Sequence, residues 1–138
     1  MVSKEFKKMK IIKKKVNFQD KRGTITDIFV NDPKPHVTLI FSKKGAVRGN
    51  HYHKKSVQYT FVVSGQMTMY SQKVGSKNIE KHVLRPNNLM IHKPMEAHAM
   101  VANKDTIFLA FAEGLRGGKD YEKDTFRLEI PLEKQYIK

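Results

Sequence analysis

Apolar and polar residues alternate along this chain in short bursts, each ending at a turn signal. Residues 24–30 are rich in β-branched side chains and stop at Asn31-Asp32-Pro33. Residues 36–41 follow and end at Ser42-Lys43-Lys44-Gly45. In residues 57–63, Val57, Tyr59, Phe61 and Val63 share one face, with Gln58, Thr60 and Val62 on the other. Ser64-Gly65 turns the chain, and residues 67–70 read as the hairpin partner of that strand. After Val74-Gly75-Ser76, a strand over 79–84 stops at Pro86-Asn87-Asn88. Residues 106–112 form an apolar strand broken by Gly114 and Gly117-Gly118, and residues 126–130 alternate before Pro131. No segment beyond residue 12 sustains a 3.6-residue apolar period, and no internal repeat is present. Many short strands with regular turns predict an all-β sandwich or barrel. The expected organisation is one domain over residues 16–138, preceded by a basic arm over 1–15 that is either a loose tail or an added edge strand.

Composition narrows the function classes. The longest apolar run, residues 107–112, falls far short of the ~20 residues a membrane span needs. The N-terminus lacks the apolar stretch of a secretory signal, so the expected location is cytoplasmic. With no cysteine, disulfides, thiol catalysis and cysteine-based zinc sites are all excluded. The net charge is +14, of which +6 lies in residues 1–15. Such an excess raises affinity for anions. Lysines nevertheless outnumber arginines 22 to 5, and no nucleic-acid module is recognisable, so most of this charge reads as solvated surface rather than a specific nucleic-acid interface.

The chemistry concentrates in Arg48-Gly49-Asn50-His51-Tyr52-His53-Lys54-Lys55-Ser56-Val57-Gln58. On a strand, His51 and His53 point to one face, which begins either a metal site or an acid/base pair. Gln58 lies five residues beyond His53, an offset that needs a turn through Lys54-Lys55-Ser56 to bring it inward. A third imidazole, His98, follows Pro94-Met95-Glu96-Ala97. The spacing Gly45-x5-His51-x-His53-x4-Gln58-x6-Gly65 resembles the first cupin motif, with Gln58 where that family usually has Glu. The second motif is degenerate: Lys93-Pro94-Met95-Glu96-Ala97-His98 keeps the His but loses a Gly, and Ala102 stands where an Asn is expected, with Asn103 one residue late. The resemblance covers residues 20–130 and implies a small-barrel jelly roll with histidines at its mouth, usually as a homodimer.

Two further stretches point within the cupins. Asp20-Lys21-Arg22-Gly23 looks like the entry of sugar-nucleotide cupins, and residues 47–55 resemble the Arg-Gly-x-His-x-His-Lys-Lys stretch of sugar-nucleotide 3,4-ketoisomerases, which also carry Gln in place of Glu. Their late Asp-Tyr-Ile-Arg element has a loose counterpart in residues 120–127. Capsular-polysaccharide epimerase cupins share the Arg-Gly-Asn-His-Tyr-His wording and typically bind zinc. The ketoisomerase resemblance implies cofactor-free chemistry on a keto-sugar nucleotide, with His51 and His53 transferring protons and Arg48 and Gln58 stabilising an enolate. The metal alternative uses His51, His53, Gln58 and His98 as ligands for zinc, iron or manganese. A third reading is a non-enzymatic module that binds a sugar or another small anionic ligand at the same mouth.

The remaining candidates have bland expectations. His36, His82 and His92 read as structural or surface residues, and Tyr59 as core or dimer packing. Glu96 reads as a partner of His98 or an entrance carboxylate, and Met90, Met95 and Met100 as core or pocket lining. Gly114-Leu115-Arg116-Gly117-Gly118 lacks the context of a phosphate loop and reads as a connection.

Overall fold

The structure, a computed structural model, describes residues 10–113 and 123–136. Two five-stranded antiparallel sheets account for most of these residues. The first sheet runs in the order β1 (Lys10–Lys13), β9 (Asn88–His92), β6 (Val57–Ser64), β11 (Thr106–Glu113), β4 (His36–Ser42). The second runs β12 (Phe126–Arg127), β5 (Val47–Tyr52), β10 (Glu96–Ala102), β7 (Met67–Lys73), β8 (Glu80–Leu84). A separate hairpin pairs β2 (Phe18–Asp20) with β3 (Gly23–Ile25), and one helical turn, α1 (Leu132–Gln135), follows β12.

Period-two alternation decides what lies between the sheets. Val62, Met90 and Phe108 of the first sheet meet Met67, Met69 and Leu84 of the second, and all six are fully buried. Each such side chain contributes roughly 1.5–3 kcal/mol through removal from water. The opposite face of the first sheet, with Phe61, Leu89 and Phe111, is covered by Ile28 and Phe29. The opposite face of the second sheet uses the small residues Ala97 and Ala99 so that Leu132 of α1 can lie against them. The result is a jelly roll, one form of the all-β sandwich or barrel that the strand pattern predicts and the form that the cupin resemblance implies.

Several local expectations are corrected. Ser64-Gly65 joins β6 to β7 but does not make a hairpin, because these strands belong to different sheets. It is a corner: Gly65 has φ +92°, and a Cβ there would stand 2.4 Å from the Asp105 carbonyl oxygen. Residues 24–30 are strand only as far as Ile25, since Ile28 and Phe29 serve as a cover rather than a paired element. Only Phe126 and Arg127 of residues 126–130 pair, because Pro131 leads into α1. Strands β2, β9 and β10 went unpredicted; of the two readings of the basic arm, the added edge strand holds over Lys10–Lys13, where β1 pairs with β9.

Lys34 fastens the covering segment. Its ammonium lies 4.2 Å above the Tyr59 ring and 4.7 Å above Phe29, and it bonds Asp32 at 2.9 Å and Glu113. Burial alone would depress this ammonium, but Glu113, Asp32 and Tyr59 more than offset it and hold its pKa above the usual range. Tyr59 thus packs on the outer face against Phe29, in keeping with its expected packing role. Among the described residues, no helix is long and apolar enough to cross a membrane.

Candidate active site

A single bulge in β5 organises the site. His51 lies opposite His98 on β10, yet the next pair is Gly49 with Ala99, so Asn50 is an extra residue on its strand. Without it, Arg48 and His51, three positions apart, would face opposite sides of the sheet. The bulge uses left-handed backbone at Gly49 (φ +93°) and Asn50 (φ +59°). Gly49 is required for space as well, because a Cβ there would approach the His98 carbonyl oxygen to 2.7 Å. Asn50 turns outward and fixes the C-terminal segment: its Oδ1 accepts the Leu132 amide at 2.7 Å and its Nδ2 donates to Glu133 at 3.1 Å. Tyr52, on the same outward side, stacks on Phe126 at 5.4 Å.

Beyond β5 the chain wraps around one buried carboxylate. Asp124 accepts the amides of Lys54 at 2.9 Å, Lys55 at 3.1 Å and Ser56 at 2.9 Å, and the Ser56 hydroxyl at 3.0 Å. This is the turn that the Gln58 offset requires, and Gln58 is buried and lines the cavity. Burial raises the Asp124 pKa, but the amide bonds from Lys54, Ser56 and Lys55 outweigh it and leave the carboxyl below its ordinary value. The Asp124 carbonyl oxygen also receives His53 Nδ1 at 2.7 Å. A carbonyl only accepts, so Nδ1 carries the proton and Nε2 carries the lone pair of neutral His53.

The cavity between the sheets has a volume of about 250 Å³. Arg48, His51, Gln58, Thr60, His92 and His98 form its polar wall; Ile40, Met100, Phe108 and Ala110 form an apolar wall. Arg48 is exposed at the rim, where Nε donates to the Ser42 hydroxyl at 2.7 Å and Nη2 to the Phe41 carbonyl at 3.1 Å. The His51 ring centroid lies 4.9 Å from those of both His53 and His98, while His53 and His98 are 5.9 Å apart. One ligand atom from each of these three histidines falls within 4.8 Å of the other two. Buried Gln58 Nε2, His92 Nδ1 and His98 Nδ1 have no hydrogen-bond partner. Burial, joined by the neighbouring His53 and His51, pushes the His92 pKa down to about 3. Burial, then His92, His51 and His53, takes His98 well below the usual value. His92 and His98 are therefore neutral at physiological pH.

Of the sequence-predicted site residues, Arg48, His51, Gln58 and His98 line the cavity, whereas His53 does not and joins the group through its ring, 4.9 Å from that of His51. His92 lines the cavity too, contrary to its expected structural or surface role: its Nε2 lies 2.9 Å from Thr60 Oγ1, and its ring lies 4.4 Å from that of His98. Cross-strand register places it, opposite Gln58 on β6. Asp124 was also missed as an anchor. Glu96 closes its own turn by accepting the Lys93 amide at 3.0 Å. Asn103 bonds Gln66 and Thr68, away from the histidines. His36 is exposed, and His82 bonds Glu80 at 3.0 Å. Met90 belongs to the core, Met100 lines the cavity and Met95 is exposed. Residues 114–118 and the 120–122 part of the late element lie outside the described residues.

A jelly roll whose mouth is lined by motif histidines defines a cupin. Residues 18–113 match the polysaccharide biosynthesis C-terminal domain family, and the chain belongs to it. No curated protein sequence matches. Among solved structures, a dTDP-4-dehydrorhamnose 3,5-epimerase from Sulfolobus tokodaii is 26% identical, with a TM-score of 0.71 over 83% of this chain and 73% of the other. A sugar 3,4-ketoisomerase from Thermoanaerobacterium thermosaccharolyticum, in complex with TDP, shares the fold at 22% identity and a TM-score of 0.73, covering 88% of each chain. The capsular polysaccharide assembling protein of Staphylococcus aureus shares it at 22% identity and 0.61, over 85% of this chain and 33% of that one.

Because the folded pKa of Asp124 lies below its unfolded value, its stabilisation is present above about pH 4 and is lost as pH falls through the folded pKa. Asp124→Asn is expected to cost ~1–3 kcal/mol at pH 7 and to flatten the loss of stability below about pH 4. Denaturant unfolding at pH 7 and pH 3 checks both; a wild-type slope in acid would remove Asp124 from this role.

Proposed function

We propose that this chain is an isomerase or epimerase acting on a nucleotide-linked keto-sugar in polysaccharide or deoxysugar synthesis, with His51 and His53 as its proton-transfer pair. The observation that carries the reading is the buried imidazole set at the cavity between the sheets, with the His53 tautomer fixed by the Asp124 carbonyl. A carbon next to a sugar ketone loses its proton to a neutral imidazole and leaves an enolate. Return of a proton to the opposite face of that carbon inverts it. Return to the former carbonyl carbon, with a proton shifted between the two oxygens, moves the ketone one position. Neither outcome consumes a co-reactant. His51, which lines the cavity, takes the carbon-bound proton and His53 supplies the second position. Arg48 and the Gln58 amide nitrogen stabilise the enolate oxygen. The family and the 26% identical epimerase support this reaction class.

The same residues support a metal reading, because one ligand atom from each of three imidazoles converges within 4.8 Å. His53 also gives its Nδ1–H to a backbone carbonyl, as metal-bound histidines commonly do. His51, His53 and His98 would hold the ion, with Gln58 as a neutral oxygen ligand. Zinc, iron or manganese there would act as a Lewis acid on the substrate carbonyl.

A homodimer accompanies either reading. The edge strand β4 carries no Lys, Arg, Asp or Glu, and its Val37, Leu39 and Phe41 are exposed, Leu39 at 70%. In a chain of charge +14, this bare apolar face fits a second copy of itself.

Three outcomes are expected. His51→Asn and His53→Asn should each lower deuterium incorporation from D2O into a nucleoside-diphosphate 4-keto-6-deoxyhexose by ~10²–10⁴-fold, with native circular dichroism; full incorporation in either variant refutes the pairing. Binding of that compound without any incorporation by the wild type would instead mark a binding module. Elemental analysis of tag-free protein decides the metal reading: near-stoichiometric metal that is lost in His98→Ala supports it, and metal-free protein after incubation with zinc, iron and manganese refutes it. Leu39→Lys should convert a dimer into a monomer in sedimentation velocity, and a monomeric wild type would refute the interface.

A further inference from the structure

His92 has no task in either reading. It lies outside the three-histidine set that would hold a metal and outside the proton-transfer pair. Yet it is an imidazole buried to 2% exposure beside the cavity, with Nδ1 unpartnered, and leaving such a nitrogen unsatisfied costs stability. Directly across the β6–β9 ladder stands Gln58, whose amide nitrogen is likewise buried and unpartnered. Thr60, two residues along the same face of β6, holds the far side of the His92 ring at 2.9 Å.

We infer that Gln58, His92 and Thr60 form a subsite at the inner end of the cavity for one hydroxyl group of the bound sugar ring. This rests on the sugar-nucleotide reading and extends it to a residue that reading does not use. Charge argues against an ion here: Arg48, at the rim, is the one charged side chain lining the cavity among the described residues. Hydrogen bonding argues for a hydroxyl specifically. The Thr60 hydroxyl is able to donate to His92 Nε2 or to accept from it, so His92 Nδ1 is a donor in the first case and an acceptor in the second. A ketone oxygen matches only the donor state, whereas a hydroxyl matches both. With Gln58 Nε2 donating to the sugar oxygen, that hydroxyl gives its own hydrogen to His92 Nδ1, and His92 Nε2–H passes to Thr60. The chain gives a partner to Gln58 Nε2 and to both nitrogens of His92, and His92 becomes a substrate-binding residue whose ring also lies against His98 at 4.4 Å.

Calorimetric titration with TDP and with TDP-glucose, on wild type, His92→Phe and Thr60→Val, tests this. Loss of one hydrogen bond in a closed site corresponds to about tenfold in affinity. The ratio of the TDP-glucose to the TDP dissociation constant should rise about tenfold in His92→Phe and in the same direction in Thr60→Val, with TDP affinity unchanged. A ratio equal to wild type in a folded variant overturns the subsite, as does an equal loss for both ligands, which would make His92 structural. If His92→Phe does not fold, Thr60→Val decides alone. Wild-type protein that binds neither ligand overturns the sugar-nucleotide reading and the subsite with it, an outcome distinct from the others.

Discussion

The approach of Gly49 to the backbone of His98 is the contact on which the rest of the site depends. A β-ladder ordinarily sends every second side chain to the same face, which would separate Arg48 from His51. One extra residue breaks that rule, and it is accommodated only because position 49 has no Cβ and tolerates a positive φ. The same irregularity sends Asn50 outward, where it holds Leu132 and Glu133. The cavity wall and the C-terminal strap are thus two faces of one local distortion.

Electrostatically the protein is divided. The chain carries an excess of +14, while the cavity holds a group of imidazoles with no carboxylate among its described lining residues. Burial and the neighbouring imidazoles disfavour charge on His92 and His98. Buried nitrogen lone pairs suit either the capture of a proton from carbon or the coordination of a cation. The outer lysines raise the local concentration of anionic ligands without entering the chemistry.

Much of this was legible in the sequence, and the exceptions share a cause. His51, His53 and Gln58 were found by spacing, because a motif written along one strand and one turn survives in one dimension, and His98 by the remnant of the second cupin motif. His92 was not, since its place comes from standing opposite Gln58 across a ladder. Asp124 was not, since it reaches His53 across 71 residues. Strands β9 and β10 escaped detection because both of their faces are covered. Leu89 points to the cover and Met90 to the core, while Ala97 and Ala99 make room for Leu132, so no period of two remains. The Ser64-Gly65 corner imitates a hairpin because alternation does not reveal which strand a neighbour pairs with.

The long reach of those tethers sets an order of assembly. Asp124 and Leu132 arrive 71 and 82 residues after the groups they fasten. While a nascent chain emerges, the histidine motif is made early and waits, its turn unsupported and its bulge held on one side only. Closing so long a loop is slow compared with local strand pairing. The candidate site is therefore complete only once Asp124 and Leu132 are in place, and a chain that ends before them carries the motif without its tethers.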